Sequence, residues 1–437
     1  MKNIETSRRK FLGRAGSLAF ALPLAAGIPA VIEEVASPTK VEAASADDIR
    51  QPIPNRVLPN LAIGSYRYTV PNMPTDITLD SSKAINDAIA YVVQQGGGTV
   101  VIPRLVTPVP NTIGTQCVYM IDSQANGDGN SVPYHGVSLQ SKVRIECEPG
   151  VKLQAMTINT NSSKLTDRAY MFYGAAPVSD VEIANCWLVG ERYTHIYSGL
   201  GSGTDEHFYG IALSGVNNVN IRATYVSDCT GDGICITSLG SAPSNITLCD
   251  VISTGNRRQG MSITAGSSIS IYDSEFSYTA GTAPGDGIDI EPQGTDSVSD
   301  VIIENCVIRG NAGNGIEVNA SLGSVTGVNV VNCLIDYNFY AGLLAGSGNT
   351  GTVYGNAFFQ NGYYGIRLAG TTQTYIVGGY SSGGYDSNSF ANNGIHNGLI
   401  TYPNSTQTNS LGAVSANDIT VVSTLPNTIQ WNLYCTP

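Results

Sequence analysis

One short phrase recurs eight times between residues 209 and 395 and constrains the fold more than any other feature of the chain. Each copy is a glycine that follows a polar or small residue and precedes an aliphatic one, and successive glycines are 23, 27, 27, 28, 27, 23 and 29 residues apart. The glycines are Gly210, Gly233, Gly260, Gly287, Gly315, Gly342, Gly365 and Gly394. A near-constant period in this range indicates a solenoid, in which each repeat buries its apolar face by stacking on the next.

A second register of short strands runs between the glycine phrases. Each of these strands alternates apolar and polar residues, and they open at Val181, Val219, Ile246, Ile269, Val301 and Val328. Two short strands per repeat leave no room for a helical repeat, so the pattern indicates the coils of a parallel β-helix. We therefore predict an all-β fold, a single-stranded parallel β-helix solenoid.

One segment has the apolar spacing of an amphipathic helix. It runs from Ser81 to Gln95, with Asp80 placed to cap its start and three glycines from Gly96 to end it. A helix directly before the first strand is expected to cover the open end of the stack, which would otherwise invite aggregation. The predicted organisation is a signal peptide at 1–46, an N-terminal extension at 47–78, the β-helix with its capping helix (81–95) at 79–400, and a C-terminal cap or tail at 401–437.

The amino terminus has the pattern of an export signal. Ser7-Arg8-Arg9-Lys10-Phe11-Leu12 matches the twin-arginine motif, a moderately apolar run follows from Ala15 to Ile32, and Ala44-Ser45-Ala46 offers a cleavage site. The apolar run is short and is interrupted by glycine and proline, so it is a poor membrane span. We predict export by the twin-arginine machinery, a mature protein starting near Asp47 without membrane insertion, and a periplasmic or extracellular location.

The charge balance excludes two classes of partner. Removal of residues 1–46 takes away six basic and four acidic residues, which leaves 16 basic and 30 acidic residues and a net charge of −14. Such a surface argues against binding to nucleic acid or to anionic membranes. It also disfavours a densely anionic polymer as substrate unless calcium bridges the two, so no cofactor is predicted apart from a possible calcium ion.

Small polar residues and thiols recur at fixed strand positions. Three cysteines, Cys186, Cys306 and Cys333, share one inward position, so we interpret them as core thiols and not as ligands or disulfides. The residues one place earlier are Asn185, Asp250, Asp273, Asn305 and Asn332. We predict that they are structural and form a ladder of side chains between coils.

Candidate catalytic residues stand on the outward positions of the strands that follow the repeat glycines. Three columns are predicted there from the two-residue period of a strand. The columns are Tyr209, Asp232, Gln259, Asp286 and Asn314; Ala212, Cys235, Ser262, Asp289, Glu317, Leu344 and Arg367; and Ser214, Thr237, Thr264, Glu291 and Asn319. Acidic residues gather between Asp232 and Glu317 with Arg257 and Arg258 among them, which favours a functional cluster over a solvated acidic face.

These coils resemble polygalacturonase-type glycoside hydrolases, and the helix with the following Gly-rich strand resembles the start of pectate-lyase-superfamily proteins. The likeness implies a right-handed β-helix over about residues 70–400. Gly231-Asp232-Gly233-Ile234-Cys235 is similar to the Asp-Asp-Cys coil of that family. Its histidine is replaced by Gln259 and its basic pair by Asp289 and Glu291, so hydrolysis of pectate by that family's mechanism is not expected.

A second likeness is to alginate C5-epimerases. Tyr209-Gly210 and Asp232-Gly233 resemble the pairs that flank the sugar in that family, whereas its Asp-Pro-His is replaced here by Ala212-Leu213-Ser214. Glu206 and His207 are the nearby residues that could substitute. A lyase or an epimerase needs a base and a cation that neutralises the substrate carboxylate, roles open to Arg257, Arg258, His207 and Tyr209.

The preferred hypothesis is an exported polysaccharide-active enzyme, more specifically a glycoside hydrolase. Its predicted catalytic residues are Asp232, Asp286, Asp289 and Glu291, and its predicted substrate-binding residues are Glu206, His207, Tyr209, Arg257, Arg258, Gln259 and Glu317. Asp232 with Asp286 is the expected acid and base pair, with Asp289 and Glu317 as the alternative. A lyase or C5-epimerase acting on a uronate polymer, and a non-catalytic glycan-binding β-helix, are the competing hypotheses.

Overall fold

The structure, a computed structural model, describes residues 56–369 except 75, 106–116, 130, 160–167, 198–204 and 347, and beyond them 374–378, 388–391, 393, 419–422 and 428–432. The predicted signal peptide and most of the predicted C-terminal tail lie outside these residues. So do the first nine residues of the predicted N-terminal extension.

The described chain forms one helix, α1 (Ser82–Gln94), and short strands throughout. The first strands are β1 (Tyr66–Thr69), β2 (Gly98–Ile102), β3 (Cys117–Ile121), β4 (Tyr134–Ser138), β5 (Val143–Cys147), β6 (Val151–Ala155), β7 (Arg168–Ala175), β8 (Ser179–Ala184), β9 (Trp187–Val189), β10 (His207–Ser214), β11 (Asn217–Arg222) and β12 (Tyr225–Ser227). The middle strands are β13 (Ile234–Thr237), β14 (Ser244–Cys249), β15 (Ile252–Thr254), β16 (Met261–Ile263), β17 (Gly266–Tyr272), β18 (Glu275–Ser277), β19 (Ile288–Ile290), β20 (Ser297–Glu304), β21 (Val307–Arg309) and β22 (Ile316–Val318). The last strands are β23 (Ser324–Val331), β24 (Leu334–Asp336), β25 (Ala341–Ala345), β26 (Thr350–Tyr354), β27 (Ala357–Phe359), β28 (Tyr364–Ala369), β29 (Thr374–Gly378), β30 (Ser389–Ala391), β31 (Ile419–Val422) and β32 (Thr428–Asn432).

These strands build three parallel sheets, and the chain visits each sheet once per coil. Sheet A has 12 strands in the order β1-β2-β5-β8-β11-β14-β17-β20-β23-β26-β29-β32. Sheet B has ten strands in the order β3-β6-β9-β12-β15-β18-β21-β24-β27-β30, and sheet C has ten in the order β4-β7-β10-β13-β16-β19-β22-β25-β28-β31. The prediction of a parallel β-helix is confirmed. The sequence showed two strands per repeat, and the third, in sheet B, is only three residues long in most coils.

The core is a stack of aliphatic side chains that face inward from all three sheets. In sheet C the inward column Ile211, Ile234, Met261, Ile288 and Ile316 is completely buried, as the sequence predicted. The core thiols are confirmed as well: among the residues that the structure describes, eight cysteines are free, and Cys186, Cys306 and Cys333 are buried. Inward aliphatic columns leave the outward positions of sheet C to carry chemistry.

Helix α1 lies at the start of the stack. Ile85, Ile89 and Val92 are fully buried, and the helix packs against β1, β2 and β4. Asp80 Oδ1 accepts hydrogen bonds from the backbone N–H groups of Ser82 and Asp122, both at 2.9 Å, so Asp80 joins the helix start to the first coil. The predicted helix and the predicted role of Asp80 are therefore seen.

Two corners of each coil use asparagine in different ways. The residues predicted to form a ladder, Asn185, Asp250, Asp273, Asn305 and Asn332, have φ between 50° and 58° and turn the chain from sheet A to sheet B. Asn and Asp tolerate this left-handed conformation. They are structural, as predicted, but the extended ladder lies elsewhere. Asn311, Asn338, Asn361 and Asn393, at the corner between sheets B and C, are joined by amide hydrogen bonds of 2.9, 3.0 and 2.9 Å.

The segment before β1 lies along the outer face of sheet A. The Asn220 amide donates to the Pro59 carbonyl at 3.0 Å, and the Ala62 N–H donates to Asp180 at 3.2 Å. Arg56 forms ion pairs with Asp273 and Glu304 and stacks on the Tyr272 ring at 3.8 Å. The described part of the predicted N-terminal extension is thus fixed to the coils, on a different sheet from the candidate site.

Candidate functional site

Sheet C brings the predicted outward columns into register. Adjacent strands pair Ala212 with Cys235, Cys235 with Ser262, Ser262 with Asp289 and Asp289 with Glu317. Further along the same column, Glu317 pairs with Leu344, Leu344 with Arg367 and Arg367 with Thr420. The predicted neighbourhood of Asp289 and Glu317 is therefore confirmed, and the spacing of the glycine phrase was sufficient to find it.

Asp232 is a carboxyl group of the site that contacts a cationic side chain directly. Its side chain is fully buried, and Arg258 Nη1 lies 3.2 Å from one of its carboxylate oxygens and 3.1 Å from the other. Ser262 Oγ donates to Asp232 Oδ2 at 2.6 Å. Burial raises the pKa of Asp232, and Arg258 and Ser262 oppose this rise. The pKa is raised on balance because the desolvation of a fully buried carboxylate outweighs the arginine.

Asp289 has the opposite set of neighbours. It is buried one strand beyond Ser262, and burial together with the carboxylates of Glu317 and Glu291 raises its pKa well above the usual range. Gln259 Nε2 donates to Asp289 Oδ2 at 2.8 Å. Because Gln259 Oε1 accepts the Asp286 backbone N–H at 2.8 Å, the amide orientation of Gln259 is fixed. Asp289 therefore has one oxygen bound to Gln259 and one free to carry a proton.

Asp286 was predicted to be catalytic, but its side chain does not line the cavity. Its side chain is fully buried, it accepts the backbone N–H of Asn314, and it is not among the cavity-lining residues. Burial and the carboxylates of Glu317 and Asp289 raise its pKa well above the usual range. Of the predicted acid and base pair, only Asp232 therefore lines the cavity: Gln259 lies between Asp232 and Asp286, and the other carboxyl groups that reach the cavity are Asp289 and Glu291.

The remaining predicted acids surround Asp289. Glu291 is half-buried at the cavity, where Asn319 Nδ2 donates to it at 3.0 Å, and burial and Glu317 raise its pKa. Glu317 accepts a hydrogen bond from Asn314 Nδ2 at 2.9 Å and does not line the cavity. Glu317 thus acts on the site through its charge and not by contact with a bound molecule.

The two arginines have different surroundings. Arg258 contacts Asp232 and also lies 3.5 Å from Glu206, whose other oxygen accepts from Thr282 at 3.3 Å. Arg257 Nη1 donates to the backbone carbonyls of Asp205 and Thr230 at 3.2 and 3.4 Å, and its guanidinium lies 4.8 Å from the Tyr197 ring. Arg258 and Glu206 therefore support the site, whereas Arg257 ties neighbouring loops together outside the cavity.

Aromatic side chains lie on the other side of Asp232. Tyr209 stacks on Tyr170 with ring centroids 5.1 Å apart and planes within 5°, and His207 lies beside Tyr209 at 6.1 Å. Burial raises the pKa of Tyr209 well above its usual range, followed by the charge of Asp232. Tyr170 and Arg168 were not predicted, although the strand Tyr170-Met171-Phe172-Tyr173 precedes the Tyr209 strand and pairs with it in register. Trp187, Tyr193 and Tyr197, which precede the Tyr209 strand, do not line the cavity.

A cavity of about 330 Å³ opens between the aromatic and the acidic groups. Its lining includes Tyr170, His207, Tyr209, Asp232, Arg258, Asp289 and Glu291. In the part of the chain that the structure describes, no three His, Cys, Asp or Glu side chains are grouped as ligands for one metal ion. Within the same residues, no helical segment combines the length and the hydropathy that a membrane-spanning helix requires.

Comparison with known proteins gives one family and several distant relatives. The family model of the right-handed β-helix region matches residues 183–358 and 284–424, together more than half of the chain. The uncharacterized protein YclG of Bacillus subtilis is 29% identical over 64% of this chain and 45% of its own length. The prophage-derived uncharacterized protein YorA of the same organism is 22% identical over 68% of this chain and 50% of its own length. The chain thus spans about half the length of the curated relatives it matches.

Two solved structures are similar to this chain at low identity. The 1,3-α-1,4-β-D-galactose-4-sulfate-3,6-anhydro-D-galactose-2-sulfate 4 galactohydrolase is 11% identical, covers 88% of this chain and 95% of its own, and has a TM-score of 0.49. The AlgE4 A-module of the mannuronan C-5 epimerase of Azotobacter vinelandii is 12% identical, covers 84% of this chain and 100% of its own, and has a TM-score of 0.47. The match of the family model, together with the coils described above, shows that the chain belongs to the right-handed β-helix family.

Proposed function

We propose that this protein is a glycoside hydrolase that cleaves a polysaccharide in the cavity of sheet C, with Asp289 as the general acid and Asp232 as the general base. The observation that carries the proposal is the contrast between the two buried carboxyl groups. Asp232 accepts hydrogen bonds from Arg258 and Ser262, whereas Asp289 faces Glu317 and Glu291. Environments that drive two carboxyl groups apart in pKa are how acid and base roles are divided in an active site.

The proton positions follow from these contacts. A carboxyl group whose pKa is raised well above its usual range holds its proton near neutral pH, which a general acid needs. Gln259 donates to Asp289 Oδ2, so the proton of Asp289 resides on Oδ1 and is available to a leaving oxygen. Asp232 keeps a positive partner on both oxygens and is the group that accepts a proton from water.

The aromatic side of the cavity suits a sugar ring. Tyr170 and Tyr209 are stacked, and His207 stands at their edge, so the wall combines apolar ring faces with polar ring edges. A pyranose has the same two kinds of surface. This match favours a carbohydrate over a peptide or a nucleotide as the substrate.

Elimination or epimerisation of a uronate is less well supported. Either reaction needs a cation that is available to neutralise the substrate carboxylate. Arg258 is already bound to Asp232 and lies 3.5 Å from Glu206, so this role would fall to Arg168 or His207, which also line the cavity. Three further acids, Asp289, Glu291 and Glu317, lie near the cavity. These acids would repel a carboxylate on the substrate.

The test is a screen of the purified protein against neutral and uronate polysaccharides, with assays for new reducing ends and for the ultraviolet absorbance of unsaturated products. We expect reducing ends without unsaturated product, and a loss of about 10²–10⁴-fold for Asp289→Asn. Asp300→Asn is the matched control because Asp300 is an exposed aspartate on sheet A. Unsaturated products would assign elimination, and glycan binding with no turnover would assign a non-catalytic module.

The location of the enzyme is the second part of the proposal. The twin-arginine pattern at Ser7-Arg8-Arg9-Lys10-Phe11-Leu12 supports export of the folded protein to the periplasm or the outside of the cell. Replacement of both Arg8 and Arg9 by lysine tests this. We expect the variant to stay in the cytoplasm at its full length, and equal amounts of variant and unmodified protein outside the cytoplasm would contradict the proposal.

A further inference from the structure

Four aromatic side chains form a ridge beside sheet C, several coils from the acidic cavity. Phe339, Tyr340, Tyr363 and Tyr364 are joined by ring-centroid distances of 4.9 Å (Phe339–Tyr340), 5.6 Å (Tyr340–Tyr363) and 6.4 Å (Tyr363–Tyr364). Phe339 is 45% exposed and Tyr340 is 47% exposed. Aromatic rings that stay exposed to water do not gain the stabilisation that burial would give them. Contiguous exposed patches of this kind on soluble proteins mark binding surfaces.

The asparagine ladder holds this aromatic ridge in place. Asn338 and Asn361 begin the two turns that carry the rings, and their amides are hydrogen-bonded at 3.0 Å. The backbone N–H of Phe339 donates to the Asn311 carbonyl at 2.9 Å, and that of Tyr363 donates to the Tyr340 carbonyl at 2.8 Å. The turns are fixed before any ligand arrives, so binding would cost little ordering of the protein.

The ridge continues the line of the cavity along the stack. Gln259 and Asp286 are aligned on adjacent coils, and the residues directly before them are Arg258 and Gly285. From Gly285 the backbone hydrogen bonds run to Gly313 at 2.8 Å and on to Tyr340 at 3.0 Å. The two glycines leave this column without side chains for the two coils between the arginine and the ridge. Tyr340 lies three coils from Arg258, a distance of roughly 14 Å at about 4.8 Å per coil.

One cation stands beside the rings. Arg367 lies in the outward column that contains Asp289 and Glu317, and its guanidinium lies 5.6 Å from the Tyr364 ring centroid. The ridge therefore combines four ring faces, three phenol hydroxyls and a guanidinium, and it contains no aliphatic side chain. This mixture resembles the two-sided chemistry of a sugar, with C–H faces and hydroxyl edges, more than it resembles the interior of a protein interface.

We propose that the aromatic ridge binds the distal part of a glycan chain whose cleaved bond lies in the acidic cavity. The inference rests on the proposed function and adds the class of substrate: a neutral polysaccharide, long enough to span three coils, and not a disaccharide. Gly285 and Gly313 are themselves buried, so a chain on this path would run over the outside of the coils that contain them. The net charge of the mature chain and the acids of the cavity would repel a polyanion along this path.

The test separates binding at the ridge from turnover by using Asp289→Asn as the parent protein, so that no chain is cleaved. Native gels are cast with galactomannan, xyloglucan, mixed-linkage β-glucan or, as the anionic comparison, alginate, and retardation gives an apparent Kd. We expect retardation by a neutral polysaccharide, weakened by about tenfold or more when Tyr340→Ala and Tyr363→Ala are combined. Tyr278→Ala is the matched control, because Tyr278 is an exposed tyrosine outside the ridge, and its apparent Kd should equal that of the parent.

Other results would overturn the inference. Equal retardation of the parent and the double variant, or retardation of neither by the three neutral polysaccharides, would remove the ridge from glycan binding. A shift from oligomer to monomer in sedimentation of the double variant, with retardation unchanged, would assign the ridge to self-association. Circular dichroism and the melting temperature exclude a folding defect. A failure of the hydrolase proposal is read separately, as unchanged turnover in Asp289→Asn relative to the unmodified protein.

Discussion

Arg258 reaches Asp232 from the turn of the next coil and contacts both oxygens of its carboxylate, at 3.2 and 3.1 Å. Asp232 is fully buried and Arg258 is largely buried. An ion pair of this kind stabilises a carboxylate charge at a buried position, where an unpaired carboxylate would be costly. The Arg258 guanidinium therefore opposes the rise that burial imposes on the pKa of Asp232.

We predict that Arg258→Ala shifts the acidic limb of the pH–rate profile to higher pH. Without the guanidinium, the pKa of Asp232 rises further because burial is then opposed mainly by Ser262. Loss of one partner of a buried pair should also cost about 3–5 kcal/mol of stability. Kinetics from pH 4 to pH 9 and thermal unfolding check both effects. Arg257→Ala is the control: it should lower the melting temperature and leave the pH–rate profile in place, and a shared shift would contradict the separate roles.

We predict that hydrolysis inverts the anomeric centre. Asp232 lies one coil before Gln259, and Asp289 lies on the coil after it and three residues further along the chain direction, so their backbones are at least two coils, roughly 10 Å, apart. This spacing favours the class in which a water molecule fits between carboxyl groups that are about 6.5–9.5 Å apart. Proton NMR of the first-formed sugar identifies the anomer, and a retained configuration would show that the nucleophile is one of the closer acids.

We predict that the carboxyl groups in and beside the cavity make the protein less stable as the pH rises above about 4. The folded-state pKa values of Asp289, Asp286 and Glu291 are raised, so the folded protein binds more protons than the unfolded chain. The stability of the protonated form is then present below the unfolded pKa of about 4 and is lost as the pH passes through the folded pKa. Melting temperatures between pH 4 and pH 8 should fall less steeply for Asp289→Asn than for the unmodified protein. An equal slope would mean that Asp289 is ionised throughout, and Asp300→Asn should leave the slope unchanged.

We predict that Asn338→Ala destabilises the stack strongly. Its amide donates to Asn361 at 3.0 Å and to the Ile308 carbonyl at 3.2 Å, and its oxygen accepts from Asn311 at 2.9 Å. Removal leaves buried groups unsatisfied on two neighbouring coils, at about 1–3 kcal/mol for each group. Urea unfolding gives the free energy. Asn329→Ala, at a half-buried position on sheet A, should cost about 1 kcal/mol or less, and equal losses would deny the ladder a special role.

Much of the site could be predicted because a solenoid converts sequence period into spatial order. The 27-residue steps from Gly233 to Gly287 align Ser262 with Asp289 without knowledge of any long-range contact. The extended ladder of Asn338 and Asn361 escaped because its residues lie in turns, where the two-residue period of a strand gives no guidance.

The direction of the acidic side chains could not be read from the period. Asp232 and Asp286 occupy equivalent positions, two coils apart, yet Asp232 lines the cavity with Arg258 and Ser262, whereas Asp286 binds the Asn314 backbone N–H outside it. What differs is which donor is within reach, and donors come from other coils. The same holds for Tyr170, which joins the site through Tyr209 on the next coil.

The sequence by itself determined the coil architecture, the inward aliphatic columns and the order of residues up each outward column, because each of these depends only on chain periodicity and strand alternation. Only packing of the coils established which carboxyl groups have their pKa raised well above the usual range, which arginine contacts Asp232 and where the cavity opens. Those properties depend on burial and on charges held a few ångströms away, and both arise only when neighbouring coils are packed together.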